Sequence, residues 1–178
     1  MSKKTIIFII IIALILIGGG VYLWHYSQQP KDVIPEGVKI EIQDGTKLIK
    51  NELADYEVEV PKDLIVQGEN SSHIKVFTKE SSPDNCPLCP PHIQFSQIKN
   101  SSKLSLEDWL QKQNEEVGFL FWDEREKINI NNIEGYKIKE EGDPEQYNYY
   151  FAKNDKIYVI TTLLDTPYLE VIKSFKLK

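Results

Sequence analysis

An unbroken apolar run, Ile6 to Ile17, lies within a low-polarity stretch from Thr5 to Trp24. Those twenty residues constrain the chain more than any other feature. As a helix rising about 1.5 Å per residue they would be about 30 Å long, the thickness of a bilayer's hydrocarbon core. Lys3 and Lys4 precede the stretch and the next Lys or Arg is Lys31, so the positive-inside bias places the N-terminus in the cytoplasm. Tyr22, Trp24 and Tyr26 sit where the outer aromatic belt belongs. The pattern predicts a cytoplasmic tail at 1–4, a transmembrane anchor at 5–26, and a remainder outside the cell membrane. The rival is a cleaved secretory signal, for which Gly18, Gly19 and Gly20 supply small residues. Against it, the apolar character resumes at Val21, Leu23 and Trp24 with no polar region before a cut. No cysteine follows closely enough to carry a lipid anchor.

Composition changes abruptly after the anchor. Residues 27–37, "SQQPKDVIPEG", are polar and hold two prolines, which reads as a stalk. Residues 38–178 are then enough for one domain with a real core. Removing Lys3 and Lys4 from the net charge of −6 leaves −8 for the rest of the chain. Such a surface is repelled by nucleic acid, which is excluded as a partner. The membrane through the anchor, and a protein of the cell envelope, remain.

From Val38 onward apolar residues alternate. Tyr56, Val58 and Val60 in "YEVEVP" point one way and Pro61 ends the strand. "HIKVFTK" from His73 and "HIQFSQIK" from His92 repeat the pattern, with a cysteine-bearing loop between them. "SSKLSLEDWLQKQNEEVGF" changes period: Ser105 is an N-cap with Asp108 three residues on, and Leu106, Trp109, Leu110 and Val117 share a helical face. Two hairpins follow. The first joins "REKININ" to "IEGYKIKEE", turning near Asn131-Asn132 or Glu134-Gly135. The second joins "YNYYFA" to "KIYVITTLL" through residues 153–156. A short terminal helix is expected with Thr166 as cap, Pro167 at its first position, and Tyr168, Val171, Ile172 and Phe175 on one face. Strands, a helix, four strands and a helix define the α+β class, a central antiparallel sheet packed by helices and preceded by the membrane helix.

The phrases "YEVEVPKDL", "LSLEDWLQKQ", "IEGYKIKE", "YYFAKNDKIYVITTLL" and "YLEVIKSFKLK", in that order, make residues 49–178 resemble the PsbP-like family. The resemblance implies an α/β/α sandwich around a central antiparallel sheet. It also implies a small exported domain behind an anchor, a type for which no activity is established. The chain departs from the family at Pro61–Leu64, where the family carries an aromatic-rich P-x-x-W phrase.

"SPDNCPLCPPH", Ser82 to His92, holds both cysteines of the chain. A thioredoxin-like thiolate needs a helix N-terminus, and Pro90 and Pro91 lack the amide donors that such a helix requires. Haem attachment needs His directly after Cys89, where Pro90 stands. Outside the cytoplasm the leading expectation is a disulfide between Cys86 and Cys89, pinning a proline-rich loop. The alternatives are a metal site from Cys86, Cys89 and His92 with His73 as fourth ligand, and a thiol-redox module.

Other candidates are weaker. Glu140, Glu141, Asp143 and Glu145 cluster on one turn, and Asp123, Glu124 and Glu126 on another, without calcium-loop spacing. Tyr147, Tyr149 and Tyr150 straddle both faces of a strand, so at least one is expected to be exposed. An exposed aromatic strip can meet a partner, and a half-buried sheet explains the pattern as well. There is no G-x-S-x-G, H-E-x-x-H or glycine-rich phosphate loop, and no motif asks for a cofactor. The expected function is therefore non-catalytic binding or scaffolding by an anchored extracytoplasmic domain. An envelope sensor is a further alternative, although four residues before the anchor leave no cytoplasmic output domain.

Overall fold

The computed structural model describes residues 30–117, 125–140, 145–164 and 166–178. The chain divides into Met1–Lys31 and a folded unit, Asp32–Lys178. The stretch at 5–26 read as an anchor lies outside the described residues; among these, no helix is long and apolar enough to cross a membrane.

The folded unit opens with β1 (Val38–Gln43), β2 (Thr46–Asn51) and β3 (Tyr56–Pro61), followed by β4 (Ile65–Asn70), β5 (His73–Phe77) and β6 (Ile93–Lys99). Helix α1 spans Leu106–Val117, and β7 (Glu126–Ile130), β8 (Ile133–Glu140), β9 (Gln146–Lys153) and β10 (Lys156–Thr162) follow. A 3-10 turn at Thr166–Tyr168 leads into α2 (Leu169–Ser174) and a two-residue strand, β11 (Lys176–Leu177). The fold is α+β, but its strands make two antiparallel sheets where the sequence predicts one. Four strands run β1-β2-β3-β11 and seven run β4-β5-β6-β10-β9-β8-β7. The break falls at Pro61: Leu64 N–H donates to the Pro61 carbonyl in a turn at 3.2 Å, and β4 starts the second sheet. β11 has no apolar alternation to announce it; it exists because Lys176 and Leu177 find Glu57 and Tyr56 across the edge of β3.

Strand parity sets the layers. Ile49, Val58 and Val60 of the small sheet bury against Phe95, Phe151 and Ile160 of the large one, and Val171, Ile172 and Phe175 of α2 close the same cluster. Phe151 and Phe175 stack with ring centres 5.4 Å apart. On the opposite face of the large sheet, Leu110 of α1 buries against Tyr136, Ile138, Tyr150, Ile157 and Val159.

Local signals explain the connections. Ser105 caps α1, its hydroxyl accepting from Asp108 N–H at 3.1 Å and donating to the Asp108 carboxylate at 2.6 Å. Of the two candidate turns in the first hairpin, the structure takes Asn131-Asn132, both left-handed with φ of 51° and 64°. Gly135 lies inside β8 instead, because an added Cβ would press on the Tyr150 carbonyl and meet Phe151 Cδ1 at 2.7 Å. Asn131 also donates to the carbonyls of Lys173 and Phe175 at 2.7 and 2.8 Å, tying this turn to the end of α2. The terminal helix starts later than expected. Thr166 opens a 3-10 turn and Tyr168 takes the N-cap position with no side-chain cap, while Tyr168, Val171, Ile172 and Phe175 do form the buried face.

The stalk is shorter than its composition indicates. Val33 forms a parallel bridge to Gln67, exchanging hydrogen bonds with Val66 and Gly68 at 2.9 Å. Pro35 packs where Gly68 has no side chain. Asp32 receives the Lys47 ammonium at 2.7 Å and the Val66 N–H at 2.8 Å, and Lys47 also donates to the Leu64 carbonyl at 2.7 Å. Residues 32–37 therefore belong to the folded unit, because an ion pair and backbone bonds that are not visible in local composition hold them there.

Candidate functional site

The cysteine loop joins β5 to β6, which pair antiparallel. It is a chain of turns with no helix beginning at Cys86: Cys86 N–H donates to the Ser82 carbonyl at 2.8 Å, and Cys89 N–H to that of Cys86 at 3.1 Å. The cysteine sulfurs lie 2.05 Å apart, at disulfide distance, and neither is free. The two histidines of the candidate metal set point elsewhere. His92 Nδ1 shares a 2.6 Å hydrogen bond with the Tyr168 hydroxyl, and His73 Nδ1 lies 3.2 Å from the Ser96 hydroxyl. Among the described residues no three His, Cys, Asp or Glu side chains converge on a point that could hold a metal. Cys86, Cys89, His92 and His73 are thus not brought together: the sulfurs are joined to each other, and each imidazole has its own neighbour. Burial holds the His92 imidazole below its usual pKa, against a smaller opposing effect of Glu80.

Of the two explanations for the tyrosines, the buried sheet holds and an exposed strip does not form. Tyr149 and Tyr150 are both buried, on opposite faces of β9, and Tyr147 packs partly against the larger core. The strand has neighbours on both sides; the small sheet and α2 cover Tyr149, and α1 covers Tyr150. Asp123, Glu124, Glu141 and Asp143 lie outside the described residues. Glu145 pairs with Lys139 at 2.8 Å, and Glu126 is exposed.

A groove of about 490 Å³ lies on the α1 face of the large sheet, which sequence reading did not single out. Its floor follows from register. Gln94, Thr161 and Asn148 stand side by side across β6, β10 and β9, and Ser96, Val159 and Tyr150 form the next row. Glu140 and Gln146, opposite each other on β8 and β9, line one end. Trp109 and Gln113 of α1 make one wall, and Pro90 and Pro91 of the cysteine loop contribute another. The loop thus matters as a boundary of the groove.

The groove is amphipathic. The Thr161 hydroxyl donates to Asn148 Oδ1 at 2.6 Å, and Gln94 Nε2 donates to the Ser96 hydroxyl at 3.2 Å. Trp109 and Tyr150 meet at 46° with ring centres 6.3 Å apart. Burial pushes the Glu140 carboxyl above the usual carboxylate range, partly offset by a hydrogen bond with Asn148. Burial also raises the Tyr150 hydroxyl, with the nearby Glu140 charge adding to the shift. Among the described residues no Lys, Arg or His lines the groove. On the same face but beyond β6, Lys75 is paired with Glu69 at 2.7 Å. The polar character of alternate positions, Gln94 and Ser96 on β6, Asn148 on β9 and Thr161 on β10, is present in the sequence. Only their registration across three strands makes it the floor of one groove.

No protein-family model and no curated protein matches the chain. Among solved structures it is similar to a protein from Bacteroides thetaiotaomicron VPI-5482, at 12% identity and a TM-score of 0.46, over 70% of this chain and 45% of that one. The chain therefore spans less than half the length of that protein. It is also similar to the cyanobacterial PsbP, CyanoP, of Synechocystis sp. PCC 6803, at 12% identity and a TM-score of 0.43, over 82% of this chain and 95% of that one. Likenesses this loose carry no argument, and the α+β class rests on the strand pairing itself.

Proposed function

We propose that the protein is a membrane-anchored, extracytoplasmic binding domain of the PsbP-like kind, acting without catalysis, with the α1-side groove as its ligand seat. The observation that carries this reading is the groove. Four strands, α1 and the cysteine loop converge on one concavity in which a few polar groups are set among aromatic and aliphatic walls, the usual make-up of a small-ligand site. The apolar stretch at 5–26, with Lys3 and Lys4 before it, supports the anchor and the outward topology. The order of the quoted phrases supports the family. A hydrolytic role would fall to Ser96 and His73. Their 3.2 Å contact is that of cross-strand neighbours, and the same hydroxyl accepts from Gln94. It therefore serves a static network.

The test is a titration of the isotopically labelled full chain, held in nanodiscs, with soluble glycan and peptide fractions of the envelope. Saturable amide shifts centred on Gln94, Gln113 and Asn148 are expected. Shifts confined to the small sheet, or none at all, would remove the groove as the binding site.

A further inference from the structure

The groove's chemistry narrows what it can hold, granted the reading above that it is a ligand seat. We propose that its ligand is a neutral saccharide, one or a few pyranose rings long. Three independent features of the site converge on that class.

Charge is the first. Among the described residues the lining carries no cation and a single carboxylate, Glu140, in a chain whose net charge is −6. A phosphorylated, sulfated or uronic ligand would lose its hydration with no counter-charge in return. The second is the hydrogen-bonding inventory. Gln94, Gln113, Gln146 and Asn148 each carry a donor and an acceptor on one planar group. Asn148 and Gln94 already bond Thr161 and Ser96, which leaves the second amide hydrogen and the remaining oxygen lone pairs of those side chains for a ligand. Neighbouring hydroxyls on a sugar ring present the same pairing of donor and acceptor, at a spacing that an amide can span. Trp109, packed against the buried Tyr150, supplies the apolar counterpart for the C–H face of such a ring.

The third feature separates a saccharide from an added peptide strand. The floor is the middle of the large sheet, where the β6–β10, β10–β9 and β9–β8 ladders already use the backbone donors and acceptors. A peptide strand can be recognised by its main chain only at a free sheet edge. Here the ligand is read by side chains alone, which suits a molecule that is itself a rigid ring bearing hydroxyls.

The experiment uses the full chain in nanodiscs with its three tryptophans labelled as 5-fluorotryptophan, the Trp109 resonance being assigned through Trp109→Phe. The probes are cellotriose, the trimer of N-acetylglucosamine, trigalacturonate, the glucosamine trimer, and an uncharged Gly-Ser hexapeptide. At least one of the two neutral trisaccharides is expected to shift Trp109 saturably, with a Kd of about 0.1–10 mM. Raising salt from about 50 to 500 mM should change that Kd by less than about twofold, since no ion pair is made. Gln113→Ala, on the helix surface, should weaken binding about fivefold while leaving the spectrum of the free protein unchanged. Should Trp109→Phe disturb packing, Gln113→Ala alone decides the point. Tighter binding of trigalacturonate or of the glucosamine trimer overturns the neutral assignment. If the hexapeptide moves Trp109 and no saccharide does, the ligand class falls while the groove stands. If no probe moves Trp109, the saccharide assignment falls. If the envelope fractions also leave groove amides unmoved, the groove falls with it.

Discussion

The two faces of the large sheet are supplied by the same strands through simple alternation, yet they have different fates. One carries Phe95, Phe151 and Ile160 and is sealed by the small sheet and α2. The other is sealed by α1 only over Tyr136, Ile138, Tyr150, Ile157 and Val159. Beyond the reach of the helix it turns polar, with Gln94, Ser96, Asn148 and Thr161 facing the groove. A helix covers a narrow stripe of a sheet, whereas a second sheet covers a broad area. The closed face therefore supplies stability, and the half-closed face keeps a groove open beside α1.

Substitutions can break or sharpen that contrast. The largest effect is expected for Phe151→Ala, which empties the centre of the closed face and removes the stack on Phe175; about 4 kcal/mol should be lost in urea denaturation. Leu110→Ala removes the one fully buried α1 side chain among the described residues and should cost about 3 kcal/mol. A loss at Leu110 exceeding that at Phe151 would reverse the ranking of the two faces. Replacing both Cys86 and Cys89 by Ser should cost at most about 2 kcal/mol, since closing so small a loop removes little chain entropy. It should nevertheless loosen the Pro90-Pro91 wall, seen as broadened groove amides.

His92 makes a smaller contribution that depends on pH. Burial depresses its folded pKa below the ordinary 6.5, so the unfolded chain binds the proton more readily. The stabilising contribution is complete above about pH 6.5 and is lost as pH falls through the lower folded value. Denaturation midpoints between about pH 7 and pH 5 should fall less steeply in His92→Gln than in the parent chain. The smallest stability effect is expected for Gln113→Ala in the groove wall, within about 0.5 kcal/mol. A large loss there would mean that the groove is packing surface and not a site.

Much of the architecture was legible because its signals are local. Ser105 announces α1, the paired asparagines at 131 and 132 announce a hairpin, and Tyr56, Val58 and Val60 announce a half-buried strand. The loop between β5 and β6 was placed correctly for the same reason. Three features were not legible, because the deciding contact is remote in sequence. Residues 32–37 look like stalk but dock through Asp32 on Lys47, and nothing in the sequence announced that Lys176-Leu177 would pair with β3. Of the three tyrosines on both faces of β9, Tyr149 and Tyr150 are both buried, one under the small sheet and α2 and the other under α1.

The sequence by itself determined where the chain changes character, the order of strands and helices, and which side of each strand is apolar. Those properties depend on the period of side chains along a few residues, and no distant partner can change them. Tertiary structure alone decided that the strands divide into two sheets and that α1 covers only part of one face. It also set Gln94, Thr161 and Asn148 in one row beside the cysteine loop. Cross-strand register and helix coverage are relations between segments up to dozens of residues apart. They become fixed only when burial and backbone pairing are satisfied together.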